Sequence, residues 1–352
     1  MGDSHGKLFC EYFDVTERGN FEGQNILHIK STIEEVAGRN KVAVEDLKAI
    51  LDAGRQKLFA LRELRIKPGR DEKVLTAWNG LMLASFAEGA AILERVDYLD
   101  IARNNARFLL EQLQRGGLLL RTYKDGEAKL NGYLEDYACL IDGLISLYEA
   151  SGELTWIESA ISLADKMIEQ FWDENAGGFF FTGQSHEQLI VRSKDFMDNA
   201  TPSGNSTATL SLLKLSLLTG NEDYRRRGTA VLRLIAEQLR RYPSAFGLAL
   251  CAVDFYLASP LEIVIVGSPG ARLNELIRTV WQRYIPNRVL ALCRGAHDQA
   301  ASVIPVFVGR NTLESQPTVF VCQASTCKEP ATSAEDLLRQ IVPAALSDSI
   351  ET

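Results

Sequence analysis

Tyr98-Leu99-Asp100-Ile101-Ala102, running on to Glu111-Gln112-Leu113, decides the fold because the chain says it again twice. Trp156 is followed by Ala160 and Glu169-Gln170-Phe171, and Tyr224 by Gly228 and Glu237-Gln238-Leu239. In each copy a small residue stands four places after the aromatic and a glutamate thirteen places after it. Upstream of each copy lies a second landmark: Trp78, Tyr137 and Asn205. A two-helix unit recurring at this scale predicts an array or toroid of helical hairpins. The first helices (Leu75–Leu93, Leu134–Ala150, Ser203–Leu218) are apolar on most faces, whereas the second (Tyr98–Leu113, Trp156–Phe171, Tyr224–Arg240) carry a charged face. That contrast predicts an inner ring and an outer ring, with Phe246–Leu257 as a further inner helix. The aromatic and its small partner are expected to pack a notch. The repeated glutamate is expected to be an exposed residue near a helix C-terminus.

Outside the hairpins, residues 1–32 look irregular, with turn chemistry at Gly19–Gly23, and Val44–Leu64 carries a helical stripe that ends at Lys67-Pro68-Gly69. After Ser259-Pro260 the pattern changes. Leu261–Gly267, Pro305–Val308 and Thr318–Cys322 read as strands, and Arg272–Tyr284 and Ala334–Ile341 as helices. Strands alternating with helices predict a small α/β subdomain. The expected organisation is an irregular segment over 1–32, an incomplete (α/α) toroid over 33–258, an α/β subdomain over 259–345 and a tail over 346–352.

Composition narrows the function classes. The chain has 352 residues, 46% hydrophobic and 24% charged, so it folds. A net charge of −8 argues against a nucleic-acid or anionic-membrane surface. No stretch approaches the ~20 apolar residues of a membrane span. Met1–His5 lacks the basic flank and apolar core of a secretory signal, so a cytoplasmic location is expected. The six cysteines include no Cys-x-x-Cys, and Cys322 and Cys327 are the close pair. Structural thiols are expected, with thiol–disulfide chemistry a poor third option because this spacing is not a redox motif. The strand and turn at Gly267-Ser268-Pro269-Gly270 lack the glycine pattern or lysine of a nucleotide site. No metal site and no cofactor is expected.

Superposing the repeats gathers the starts of the inner helices on one rim. The polar residues there are Asp71, Lys73, Trp78 and Asn79; Glu135, Asp136 and Tyr137; and Asp198, Asn199, Ser203 and Asn205. Carboxylates, amides and aromatic faces suit a sugar or another small polar ligand. Asp71, Glu135, Asp136 and Asp198 are the acid–base candidates, and the others are candidates for binding substrate. The competing reading is that these groups cap helices, since Asp136 and Ser203 are placed like N-terminal caps.

The long motifs Arg70–Leu81, Gly132–Ala138, Asp198–Ser206 and Val321–Pro330, with Gly19–Gly23, resemble the thioredoxin-domain-containing proteins of the YyaL and spermatogenesis-associated protein 20 type. The resemblance implies a six-hairpin toroid, the fold of N-acylglucosamine 2-epimerases and several glycosidases. It also implies a thioredoxin-like domain and first hairpins that this chain is expected to lack. An open ring exposes inner-helix faces, so self-association, or pairing with a separate N-terminal half, is expected. Two functions remain open. One is an epimerase- or hydrolase-like enzyme acting on a sugar; the other is a non-catalytic interaction or scaffold module.

Overall fold

The computed structural model describes residues 1–187, 190–295, 297–324 and 326–341, so the expected tail at 346–352 lies outside the described residues. The chain divides into two compact units, Met1–Asp71 and Glu72–Thr352. The first unit holds α1 (Asp3–Tyr12), α2 (Ile33–Asn40) and α3 (Val44–Glu63). Helix α1 corrects the irregular reading of 1–32: Phe9 is buried against Val36, Leu47 and Leu51. Helix α3 belongs to this unit, so the hairpin array starts after Asp71. Thr32 begins α2 with a reciprocal capping box to Glu35.

The second unit begins with β1 (Val74–Leu75), α4 (Thr76–Ile92) and α5 (Val96–Gln112). A small antiparallel sheet follows, of β2 (Gln114–Arg115), β3 (Leu118–Lys124) and β4 (Glu127–Asn131), in which β3 also pairs with β1. Then come α6 (Leu134–Ser151), α7 (Leu154–Phe171), α8 (Gly204–Thr219), α9 (Glu222–Arg241) and α10 (Gly247–Leu257). Helices α4, α6, α8 and α10 form the inner row. Helix α6 is buried almost throughout, whereas α5 buries one stripe, Ala102, Ala106 and Leu109. The repeated residues behave as a notch. Ala102 and Ala160 are fully buried, Tyr98 packs edge-on against Phe86 of α4 at 5.3 Å, and the Tyr224 hydroxyl donates to Asp165 of the neighbouring hairpin. Glu111, Glu169 and Glu237 are exposed.

The C-terminal part is a sheet in the order β6-β5-β7-β8, from β5 (Leu261–Val266), β6 (Arg288–Cys293), β7 (Thr318–Gln323) and β8 (Thr326–Cys327). Helix α11 (Ala271–Trp281) links the parallel pair β5 and β6; α12 (His297–Val303) and α13 (Ala334–Ile341) complete it. The expected strand at Pro305–Val308 is instead a 3-10 turn, Pro305–Phe307. Proline opens it, and the three-residue step buries both Ile304 and Phe307, which a strand would send to opposite faces. Edge strand β6 is covered by the last turns of α6: the Leu290 N–H donates to Glu149 at 2.9 Å and the Leu292 N–H to the Tyr148 hydroxyl at 3.1 Å.

Helices α4 and α6 cross at glycine. A Cβ on Gly80 would lie 2.5 Å from the Cys139 carbonyl carbon, and one on Gly143 would lie 2.7 Å from the Gly80 oxygen. Gly89, on the same helix as Gly80, would meet only the Tyr98 ring at 3.6 Å. Gly80→Ala is therefore expected to cost about 1–3 kcal/mol by forcing backbones apart. Gly89→Ala should be neutral or stabilising by up to ~1 kcal/mol through helix propensity. Urea unfolding of both variants checks this; equal effects would refute the close crossing.

Candidate functional site

The inner helices start side by side, and their first turns are tied together by polar side chains. The Ala77 N–H at the start of α4 donates to Asp136 Oδ1 at 3.0 Å, and the Tyr133 N–H before α6 donates to Asp136 Oδ2 at 2.9 Å. Gly204, opening α8, lies so close to α6 that a Cβ there would sit 2.8 Å from the Leu134 side chain. Before α8, Asp198 Oδ1 accepts from the Ser203 N–H at 2.8 Å, while Oδ2 accepts from the Leu248 N–H of α10 at 2.8 Å. The starts of α4, α6, α8 and α10 are thus neighbours in that order.

Asp136 is the centre of this ring of contacts. It is fully buried, and besides the two backbone donors it faces Arg121 Nη1 at 3.2 Å. Burial pushes its carboxyl up to about 6, against the opposing pull of Arg121 and the two N–H groups. Arg121 comes from β3 and also holds Glu135 Oε1 at 2.8 Å, with both side chains partly open to solvent. The guanidinium lies over the Tyr133 ring, 4.7 Å from its centre, and Tyr133 stacks on Phe181 at 4.7 Å and on His186 at 5.0 Å. His186 accepts from the Gly183 N–H through Nδ1, which leaves Nε2 to donate to the Asn131 carbonyl; burial holds its pKa below the usual histidine value.

The remaining candidates divide in two. Tyr137 is buried, with its hydroxyl accepting from the Leu119 N–H at 2.8 Å, and burial raises its pKa. Asn205 is buried with both ends of its amide engaged: Oδ1 accepts from the Phe179 N–H, and Nδ2 donates to the Phe179 and Asp195 carbonyls. Asn79 donates to the Leu75 carbonyl and accepts from Asn105. Ser203 caps α8 through the Ser206 N–H. Glu135, Asp195, Asn199 and Ser203 meet around a cavity of about 60 Å³ between the starts of α6 and α8. Trp78 is 61% exposed on α4, one residue beyond the N–H that Asp136 binds. Lys73 is exposed ahead of β1, and Asp71 is an exposed residue of the first unit. Arg121 and Asp195 were missing from the sequence reading. Asp125-Gly126, both at positive φ, is the hairpin signal that would have placed Arg121 on a strand beside α6. Among the described residues, no group of three or more His, Cys, Asp or Glu is arranged to hold a metal ion.

Asp136 makes stability depend on pH in a definite direction. Its carboxyl holds a proton more tightly folded than unfolded, so its favourable contribution is complete below the ordinary value of 3.8 and is lost as pH rises through about 6. Unfolding free energy should fall by on the order of 3 kcal/mol across that window on this account. Asp136→Asn should lower stability overall, because one amide cannot accept from both backbone donors, and should flatten the slope between those values. Urea titrations at several pH values test this; identical slopes in the two proteins would contradict it.

No family profile matches the chain. Spermatogenesis-associated protein 20 of Homo sapiens is 34% identical over 361 residues, covering 96% of this chain and 46% of that protein. The Mus musculus protein of that name is 33% identical, over 94% of this chain and 45% of its own length. The chain therefore spans about half the length of the curated relatives it matches. Among solved structures, a cellobiose 2-epimerase from Bacillus thermoamylovorans aligns with a TM-score of 0.41 at 11% identity, over 48% of this chain and 46% of that one. An α-mannanase from Bacteroides thetaiotaomicron aligns with a TM-score of 0.41 at 15% identity, over 49% and 47%. Along nearly its whole length, the chain is a homologue of the spermatogenesis-associated protein 20 type of protein.

Proposed function

We propose that the rim binds a sugar or similar polyol at the cleft between the starts of α6 and α8, with Glu135 as the acid–base group. The observation that carries this reading is the Arg121–Glu135 pair, partly open to solvent, beside a cavity that Asp195, Asn199 and Ser203 also line. A cavity of about 60 Å³ takes a hydroxyl or hydroxymethyl group and leaves a pyranose ring outside it. Carboxylate, amide and hydroxyl are the donors and acceptors a sugar substituent needs. The fold likeness to a sugar epimerase and a mannanase agrees in kind but carries no weight on activity.

A second reading has its own support. Asp136 and Asp198 bind backbone N–H groups at helix starts, and Asn205 is engaged at every polar atom. Groups held this way favour a binding or scaffold module that does not turn substrate over. The two readings share the cleft and differ in whether Glu135 transfers a proton.

A thermal-shift screen of mono- and oligosaccharides separates them. Ligand at about a hundred times its Kd should stabilise the chain by about 2.7 kcal/mol. Glu135→Ala and Asn199→Ala should each weaken binding by about tenfold, the equivalent of ~1.4 kcal/mol. Turnover lost in Glu135→Gln with binding retained supports catalysis, and binding without turnover in the wild type supports the module. If no sugar stabilises the chain, or if neither variant changes binding, the cleft is not the site.

We also propose that α4 is covered by further helices in the working protein, from a second copy or from another polypeptide. Trp78, Met82 and Ile92 recur on one side of α4 and are 61%, 53% and 50% exposed. Sedimentation should show self-association, or a monomer of low melting temperature that is stabilised when the other half of the relatives' sequence is supplied in trans. A stable, high-melting monomer would overturn this.

A further inference from the structure

The Val321–Pro330 motif has no part in the rim, and the structure gives it a different chemistry. Cys322 and Cys327 are joined by a disulfide, which corrects the reading of all six cysteines as structural thiols. Their spacing is no redox motif, but the antiparallel register of β7 and β8 puts them directly opposite each other. The two sulfurs are not equivalent. Cys322 is buried, 2% exposed, and Cys327 is exposed. Arg310 reaches both: its Nη2 lies 3.3 Å from Cys322 Sγ and 3.6 Å from Cys327 Sγ, while Nη1 donates to the Val306 carbonyl. On the other side of Cys322, Glu262 of β5 is its register partner, so its side chain shares the same face of the sheet. Burial raises the Glu262 carboxyl and Arg310 lowers it.

We infer that Cys322–Cys327 is a thiol–disulfide exchange site, entered at Cys327 and served by Arg310. The partner it takes is a dithiol reductant. One thiolate of the dithiol attacks the exposed Cys327 sulfur, the Cys322–Cys327 bond breaks, and Cys322 leaves as a thiolate beside the guanidinium. The second thiol of the reductant gives its proton to solvent and displaces Cys327 from the mixed disulfide. The dithiol ends as a disulfide, two electrons have passed to the protein, and the two cysteines take up protons from solvent. A cation beside the leaving sulfur lowers the pKa of its thiol, and a better leaving thiolate departs faster. The buried sulfur is shielded from attack, which gives the exchange its direction. Glu262 acts with opposite sign, since a neighbouring carboxylate disfavours the thiolate.

The test uses the full chain purified without reductant. Denaturing alkylation with a maleimide should label four thiols, and six after dithiothreitol, read as mass shifts. The rate of reduction by dithiothreitol, sampled by quenching over time, should fall about fivefold in Arg310→Ala. It should return to within about twofold of wild type in Arg310→Lys, and be equal or faster in Glu262→Gln. Circular dichroism checks that each variant is folded. Six free thiols before reduction, an Arg310→Ala rate within about twofold of wild type, or a slower Glu262→Gln would each overturn the inference. Where Arg310→Ala fails to fold, the Glu262→Gln and Arg310→Lys rates decide.

Discussion

Helix α6 is buried along nearly its whole length, and that constraint organises the second unit. A buried polar group left without a partner costs about 1–3 kcal/mol, so each polar side chain on this helix dictates a neighbour. Asp136 at one end draws in the Ala77 N–H of α4 and Arg121 of β3. Tyr137 takes the Leu119 N–H, which seats the β3–β4 hairpin against the helix. Tyr148 and Glu149 at the other end take the free N–H groups of edge strand β6. The first inner helix, the small sheet and the C-terminal sheet are all positioned by what α6 must satisfy.

The same constraint redistributes the candidate chemistry. A carboxylate that must meet fixed N–H groups is a poor proton carrier, because gaining or losing a proton disturbs the packing it holds. Asp136 and Asp198 are in that position, one tying α4 to α6 and the other tying the α8 loop to α10. Glu135 is one residue earlier in the first turn of α6, and helical geometry turns it outward from Asp136. It pairs with Arg121 and keeps an open flank on the cleft. Two adjacent acids in the same motif thus have separate surroundings, one holding the helices and the other lining the cleft proposed to take ligand.

Much of this was legible before any coordinates, and the parts that were not have physical reasons. Hairpin periodicity and the Tyr98, Trp156 and Tyr224 repeat report burial, which is a local property of each helix, so α4 to α10 could be read directly. The shared rim followed because repeats superpose. Which acid faces in could not be read, since Glu135 and Asp136 differ only by a rotation about the helix axis that packing on α4 decides. Arg121 was missed because no element was assigned between Leu113 and Leu134, although Asp125-Gly126 marks a tight turn. Pro305–Val308 is short and apolar, and such a run does not distinguish a strand from a 3-10 turn. Cys322 and Cys327 were set aside on spacing alone. Strand register joins them, and register is a property of the pair of strands and not of either cysteine.

Arg310 carries the last step of this reasoning. A disulfide is uncharged, so a guanidinium held against both of its sulfurs gains little electrostatically while the bond is intact. The gain appears once one sulfur becomes a thiolate, when a full charge lies against a cation in a partly buried setting. The rim is arranged the other way, since Arg121 already faces ionisable carboxylates at Glu135 and Asp136 before any ligand arrives. One arginine therefore faces two carboxylates of the rim, and the other is shared between the Glu262 carboxyl and a disulfide whose leaving thiolate it would stabilise in the proposed exchange.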